Sequence, residues 1–181
     1  MSYDLSLFRP RPGFDPTSNS EDSNEFEPKA RDPVVEEQKR RVADALIRTN
    51  AELEPFQLRY AEIAKFQGIT EEEARRRFRY IELNGPKNGN GVQITIFDSR
   101  ASIHIPFWHT GDKAFATLRE VWSYLRVFAS HGFATYDPQI ERVLNVEADF
   151  KLVIDSYGAG VEFTRDVADR IRRGEIDPET L

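Results

Sequence analysis

"VQITIFDSRASIHIPF", residues 92–107, decides the architecture. Successive side chains of a strand point to opposite faces, so Val92, Ile94 and Ile96 share one side. The "DSRA" turn at 98–101 reverses the chain. On the return Ala101, Ile103, Ile105 and Phe107 rejoin that side, while Ser102 and His104 face the other way. The segment therefore reads as a hairpin with one apolar and one polar face.

Downstream, Asp112 is placed to cap a helix in which Ala114, Leu118, Val121, Trp122, Leu125, Phe128 and Ala129 make an apolar stripe, and His131 with Gly132 closes it. "FATYDPQIERVLNV" reads as strand, turn and strand around Asp137-Pro138. "VEFTRDVADRIRRGEI" carries Val161, Phe163, Val167 and Ile171 at helical spacing and ends at Gly174. Upstream, Tyr3, Leu5 and Leu7 alternate in "YDLSLF", a first strand ended by Pro10 and Pro12. Residues 10–32, rich in Pro, Ser, Asn, Asp and Glu, read as a long polar loop. Pro33 opens an amphipathic helix with Val35, Val42 and Leu46 on one stripe. Pro55 interrupts it, and Phe56, Tyr60, Ile63, Ala64 and Phe66 form a second stripe that Gly68 terminates. Thr70 with Glu73 is a capping box for a short third helix. "RYIEL" reads as a strand and "NGPKNGNG" as a glycine-rich connection. The order predicts an α+β fold: an antiparallel sheet with helices on one face, a ferredoxin-like two-layer sandwich with additions, in a single domain over residues 1–181.

Composition bounds the function. A chain of 181 residues with 39% hydrophobic residues can bury a core without staples. The absence of cysteine removes disulfides, thiolate metal sites and Cys nucleophiles, and fits a reducing compartment. No run approaches the ~18 apolar residues of a spanning helix, so a soluble, cytoplasmic protein without a membrane partner is expected. A net charge of −6 opposes broad attraction to phosphate backbones, and no nucleic-acid partner is expected. The Arg75, Arg76, Arg77 and Arg79 cluster, beside Phe78 and Tyr80, is offset by Glu71, Glu72 and Glu73 and reads as a solvated helix face.

His104 and His109 are candidates for acid–base or metal chemistry with Asp112, yet no H-x-H, H-x-x-x-H or H-E-x-x-H spacing occurs. The alternative reading packs His109 on Trp108 and uses Asp112 as a cap. Trp108 is either a binding anchor or a lid of the core. Phe97, on the face opposite the core, tilts that choice toward binding. Tyr136, Asp137 and Gln139 offer a phenol, a carboxylate and an amide in one turn, for a ligand or for the turn itself. "NGPKNGNG" lacks a phosphate-loop pattern and "YGAG" a dinucleotide one, so no cofactor is expected.

"YDLSLF", "FWHTGDKAFATL" and "YDPQIERVLNV" together resemble small bacterial proteins, some of which look like immunity proteins encoded beside secreted toxins. The resemblance covers residues 1–9 and 90–147 and transfers no catalytic residue. It implies a non-catalytic binding protein that occludes a protein partner, in its specific form a basic toxin steered by the acidic surface. The expected contact residues are Phe97, His104, Trp108, His109, Tyr136 and Asp137. The rival expectation is a metal-assisted or acid–base hydrolase using His104, His109 and Asp112.

Overall fold

Alternation in the sequence becomes a seven-stranded antiparallel sheet. The computed structural model describes residues 2–13, 15–16, 32–86, 89–173 and 175. Of the polar stretch at 10–32, residues 14 and 17–31 lie outside the described residues, as does Gly174. The strands are β1 (Ser2–Phe8), β2 (Glu54–Pro55), β3 (Ile81–Asn84), β4 (Gln93–Ile96), β5 (Arg100–Pro106), β6 (Ala134–Asp137) and β7 (Arg142–Leu144). They run in the order β2-β3-β4-β5-β1-β6-β7. The predicted hairpin is β4–β5, and β1 lies against its return strand.

Register sorts the side chains into two rows. Leu5 faces Ile103, Tyr3 faces Ile105 and Leu7 faces Ala101, while Ile94 lies between Ile103 and Leu83. All of these are buried. The alternate row is polar: Asp4 faces His104, His104 faces Gln93, and Ser102 lies between Ser6 and Thr95.

Helices cover the apolar row. In α1 (Pro33–Thr49), Asp32 accepts from the Val34 N–H at 2.9 Å and Pro33 opens the first turn, where its missing N–H costs nothing. The helix contributes Val42, Ala43 and Leu46 to the core. From α4 (Gly111–Ser130) come Leu118, Val121, Trp122, Leu125 and Phe128, and from α5 (Phe150–Arg172) Val153, Tyr157 and Val161, all in the cluster that holds the sheet's inner row. Each fully buried Leu, Ile, Val or Phe is worth about 1.5–3 kcal/mol of transfer free energy. The fold is α+β, with five helices among the described residues. The remaining two, α2 (Tyr60–Gln67) and α3 (Glu71–Arg77), form a helical hairpin at the start of β3. Gly68 stops α2 at φ 66°, and Thr70 Oγ1 accepts from the Glu73 N–H at 3.1 Å to start α3. Tyr60 Oη donates to the carbonyl of Phe78, the C-cap of α3, at 3.2 Å, tying the two helices to each other.

The structure corrects several local expectations. Pro55 interrupts no helix: α1 has already ended at Thr49 with Asn50 as its C-cap, and Pro55 with Glu54 forms edge strand β2 against Leu83 and Asn84, a position where a missing N–H is tolerated. Of the apolar stripe that Gly68 terminates, Phe56 precedes α2, and Phe56 and Phe66 are 50% and 88% exposed. Thr110, not Asp112, occupies the N-cap of α4, and Asp112 sits inside the first turn, where a carboxylate complements the helix dipole. The last helix begins at Phe150, well before Val161, and runs through "YGAG". Its Gly160 lies so close to Phe107 that an added Cβ would stand 2.4 Å from the ring. Close packing therefore accounts for that glycine.

Candidate functional site

The candidate residues divide among four places along β4–β5 and β6. At the hairpin tip, Phe97 is half-buried, tilted against Tyr80 at 5.5 Å between ring centroids and lying under the Arg100 guanidinium at 5.0 Å. The turn itself is pinned. Asp98 takes the buried Lys39 ammonium at 2.6 Å and Arg79 at 3.1 Å, while Lys39 also donates to the Arg79 carbonyl at 2.8 Å. Phe97 is thus fixed by a stacked and ion-paired corner.

In the middle of the polar face, the β1–β5 register sets His104 opposite Asp4. His104 Nδ1 lies 2.7 Å from Asp4 Oδ1, and Nε2 lies 3.2 Å from Ser102 Oγ. Ser2 Oγ donates to the same Asp4 oxygen at 2.7 Å. The hydrogen bond to Asp4 raises the imidazole above its ordinary value of 6.5, against the opposing effect of burial. Burial pushes the Asp4 carboxyl up, but the bonds from His104 and Ser2 outweigh it and hold the carboxyl below 3.8.

At the far end, Trp108 stands in the turn two residues past β5 and is 63% exposed. Its indole is seated on backbone: a Cβ at Gly91, whose φ is 62°, would come within 2.8 Å of the ring. The His109 ring meets it edge-on at 5.8 Å. His109 itself is buried, its Nε2 2.5 Å from the Asn90 carbonyl. Asn90 in turn accepts from the Val92 N–H at 3.0 Å and donates to Glu120 Oε2 at 2.7 Å. Glu120 also accepts from Tyr124 Oη at 2.9 Å and from Asn50 Nδ2. His109 is thus a strut that holds the loop before β4 against α4 and keeps Trp108 in place.

At the β6–β7 turn, adjacent residues part ways. Tyr136 lies in the polar row beside Ser6 and Val143. Asp137 points inward, is 0% exposed, receives the Tyr3 hydroxyl and accepts from the Gln139 N–H at 2.9 Å. Burial pushes the Asp137 carboxyl up, against the hydrogen bonds from Tyr3, Gln139 and Ile140. The same burial, with Asp137 alongside, pushes the Tyr3 phenol up.

The structure does not bring His104, His109 and Asp112 together. His104 is on the polar face, His109 turns to the loop under α4, and Asp112 is exposed. Among the described residues no three His, Asp or Glu side chains are grouped to hold a metal ion. Asp4 and Ser102, the actual partners of His104, were not among the sequence candidates. Their outward alternation was legible, but their meeting depends on β1 lying beside β5. No helix among the described residues is long and apolar enough to cross a membrane. Comparison of the chain with protein-family models, with curated proteins and with solved structures gives no match.

Proposed function

We propose that the chain is a binding protein that engages a protein partner through the Trp108 end of the sheet, as an immunity protein occludes a toxin. The observation that carries this reading is Trp108 itself: a large aromatic 63% exposed, yet braced by the Gly91 backbone and the His109 ring. A side chain already fixed in place loses little rotamer freedom on binding, and such Trp anchors dominate interface energetics. Asp112, exposed in the next helical turn, and the overall charge of −6 favour a partner with a basic surface. Tyr136, only 8% exposed, and the buried His109 and Asp137 lie outside that contact. The proposed setting is a bacterial cytoplasm, supported by a chain without cysteine.

The test is binding, measured by calorimetry, between the chain and the protein encoded next to it. Trp108→Ala is expected to weaken the complex at least about tenfold, about 1.4 kcal/mol or more, with an unchanged melting temperature because the indole is mostly in solvent. Equal affinity for the variant, or no binding by wild type, would remove the reading.

A further inference from the structure

Strand pairing has built, on the polar face, a connectivity that the binding reading does not use. Asp4 lies across from His104, and Ser102 stands two residues before His104 on the same face. The distances form a line: Asp4 Oδ1 to His104 Nδ1 is 2.7 Å, and His104 Nε2 to Ser102 Oγ is 3.2 Å. With Asp4 accepting from Nδ1–H, the neutral imidazole presents its Nε2 lone pair to the Ser102 hydroxyl, the arrangement that activates a serine. The carboxylate is itself oriented by Ser2 at 2.7 Å, and its backbone N–H donates to Gln139 Oε1 at 3.2 Å. His104 and Asp4 side chains are 39% and 43% exposed, so the line is open to a small molecule. Ser6 and Thr95 flank Ser102 across the strands, and Gln93 flanks His104, so the neighbours in register carry hydroxyl and amide groups, the donor types that stabilise an oxyanion.

We propose that Ser102 is a nucleophile toward small carboxylic esters, with His104 as its general base and Asp4 as a positioning residue. Ser102 Oγ bonds to the ester carbonyl carbon while its proton passes to His104 Nε2. Collapse of the tetrahedral adduct breaks the carbon–alkoxide bond, and the alcohol leaves with the proton from the imidazolium. Water, deprotonated by the same nitrogen, then releases the acyl group as carboxylic acid and restores Ser102. This goes beyond partner binding and uses Asp4, Ser102 and His104, none of which belongs to the Trp108 contact, so the two readings fail separately.

The test uses the whole chain with a fluorophosphonate probe and with p-nitrophenyl acetate. Expected results are probe adduct on Ser102, and loss of adduct and ester turnover in Ser102→Ala. His104→Gln should slow labelling by about 10²–10⁴-fold, the usual worth of a general base. The groups facing the imidazole are Asp4 from β1 and Glu82 from β3, and both raise its basicity. Labelling should therefore rise with pH through a midpoint above 6.5, and Asp4→Asn should move that midpoint down, a shift that a purely structural pairing would not produce. Melting curves confirm that each variant is folded. Wild type labelling no faster than Ser102→Ala, or adduct mapped to another residue, overturns the proposal.

Discussion

Replacing Gly158 and Gly160 with alanine, one at a time, tests how α5 is seated. In a helix interior alanine is preferred over glycine by about 1 kcal/mol, so both substitutions would stabilise if propensity alone acted. At Gly158 nothing lies within 4 Å of the position a Cβ would take, and Gly158→Ala should gain about 0.5–1 kcal/mol. At Gly160 the new carbon would meet two Phe107 ring carbons at 2.4 and 2.7 Å. That ring has little room to swing, being edge-on to Tyr3 at 6.2 Å and tilted against Tyr157 at 5.5 Å. Overpacking of this kind costs about 1–3 kcal/mol. Setting the propensity gain against it leaves Gly160→Ala between neutral and about 2 kcal/mol destabilised. The two variants should therefore separate in thermal melts by several degrees, since 1 kcal/mol moves a chain of this size by about 2–4 °C. In a Phe107→Leu background the obstacle is gone, and Gly160→Ala should gain as Gly158→Ala does, a coupling of about 1–3 kcal/mol. If Gly160→Ala raises the melting temperature of the wild-type chain as much as Gly158→Ala, the close seat on Phe107 is refuted.

Tyr3→Phe leaves the wholly buried Asp137 without its phenol donor. The expected loss is about 1.5–3 kcal/mol in urea titrations, shrinking at acid pH as the carboxyl takes up a proton; a loss that is absent at neutral pH would contradict the pairing. The His104–Asp4 bridge makes a signed prediction. A raised imidazole contributes stability that is full below its ordinary 6.5 and fades as pH climbs through the folded value. A depressed carboxyl contributes above its ordinary 3.8, and that part is lost as pH falls through the folded value. The stability difference between wild type and His104→Gln should thus peak between those limits, at about 0.2–1 kcal/mol given the exposure of both groups. A difference flat from acid to alkaline pH would argue against the bridge.

Period-two and helical patterning made most of the fold legible. Ile94 and Ile96 against Ala101, Ile103 and Ile105 announced the hairpin, and the Leu118–Val121–Leu125–Phe128 stripe announced α4. What escaped depended on neighbours distant in the chain. β2 is a strand only because β3 offers its edge to Glu54 and Pro55. The first half of α5 was hidden by Gly158 and Gly160, poor helix formers whose presence at 160 makes sense once Phe107 lies beside it. The candidate site divides in the same way. Trp108 and His104 stood out by residue type, but the inward turn of Asp137 and the partners of His104 were set by register across β1.

The position of β1 between β5 and β6 has a temporal consequence. Its cross-strand bonds join residues 100 apart at Asp4–His104 and 134 apart at Tyr3–Asp137. Pairings this remote in sequence slow folding, because long loops must close before the contacts reward them. On a ribosome adding about 5–20 residues each second, β1 would wait about 5–20 s for its first neighbour. Throughout that interval both of its hydrogen-bonding edges are bare, the condition that invites mispairing between nascent chains. Asp4 and Ser6, interleaved with Tyr3, Leu5 and Leu7, put a charge and a hydroxyl into the waiting segment and so act as gatekeepers during synthesis.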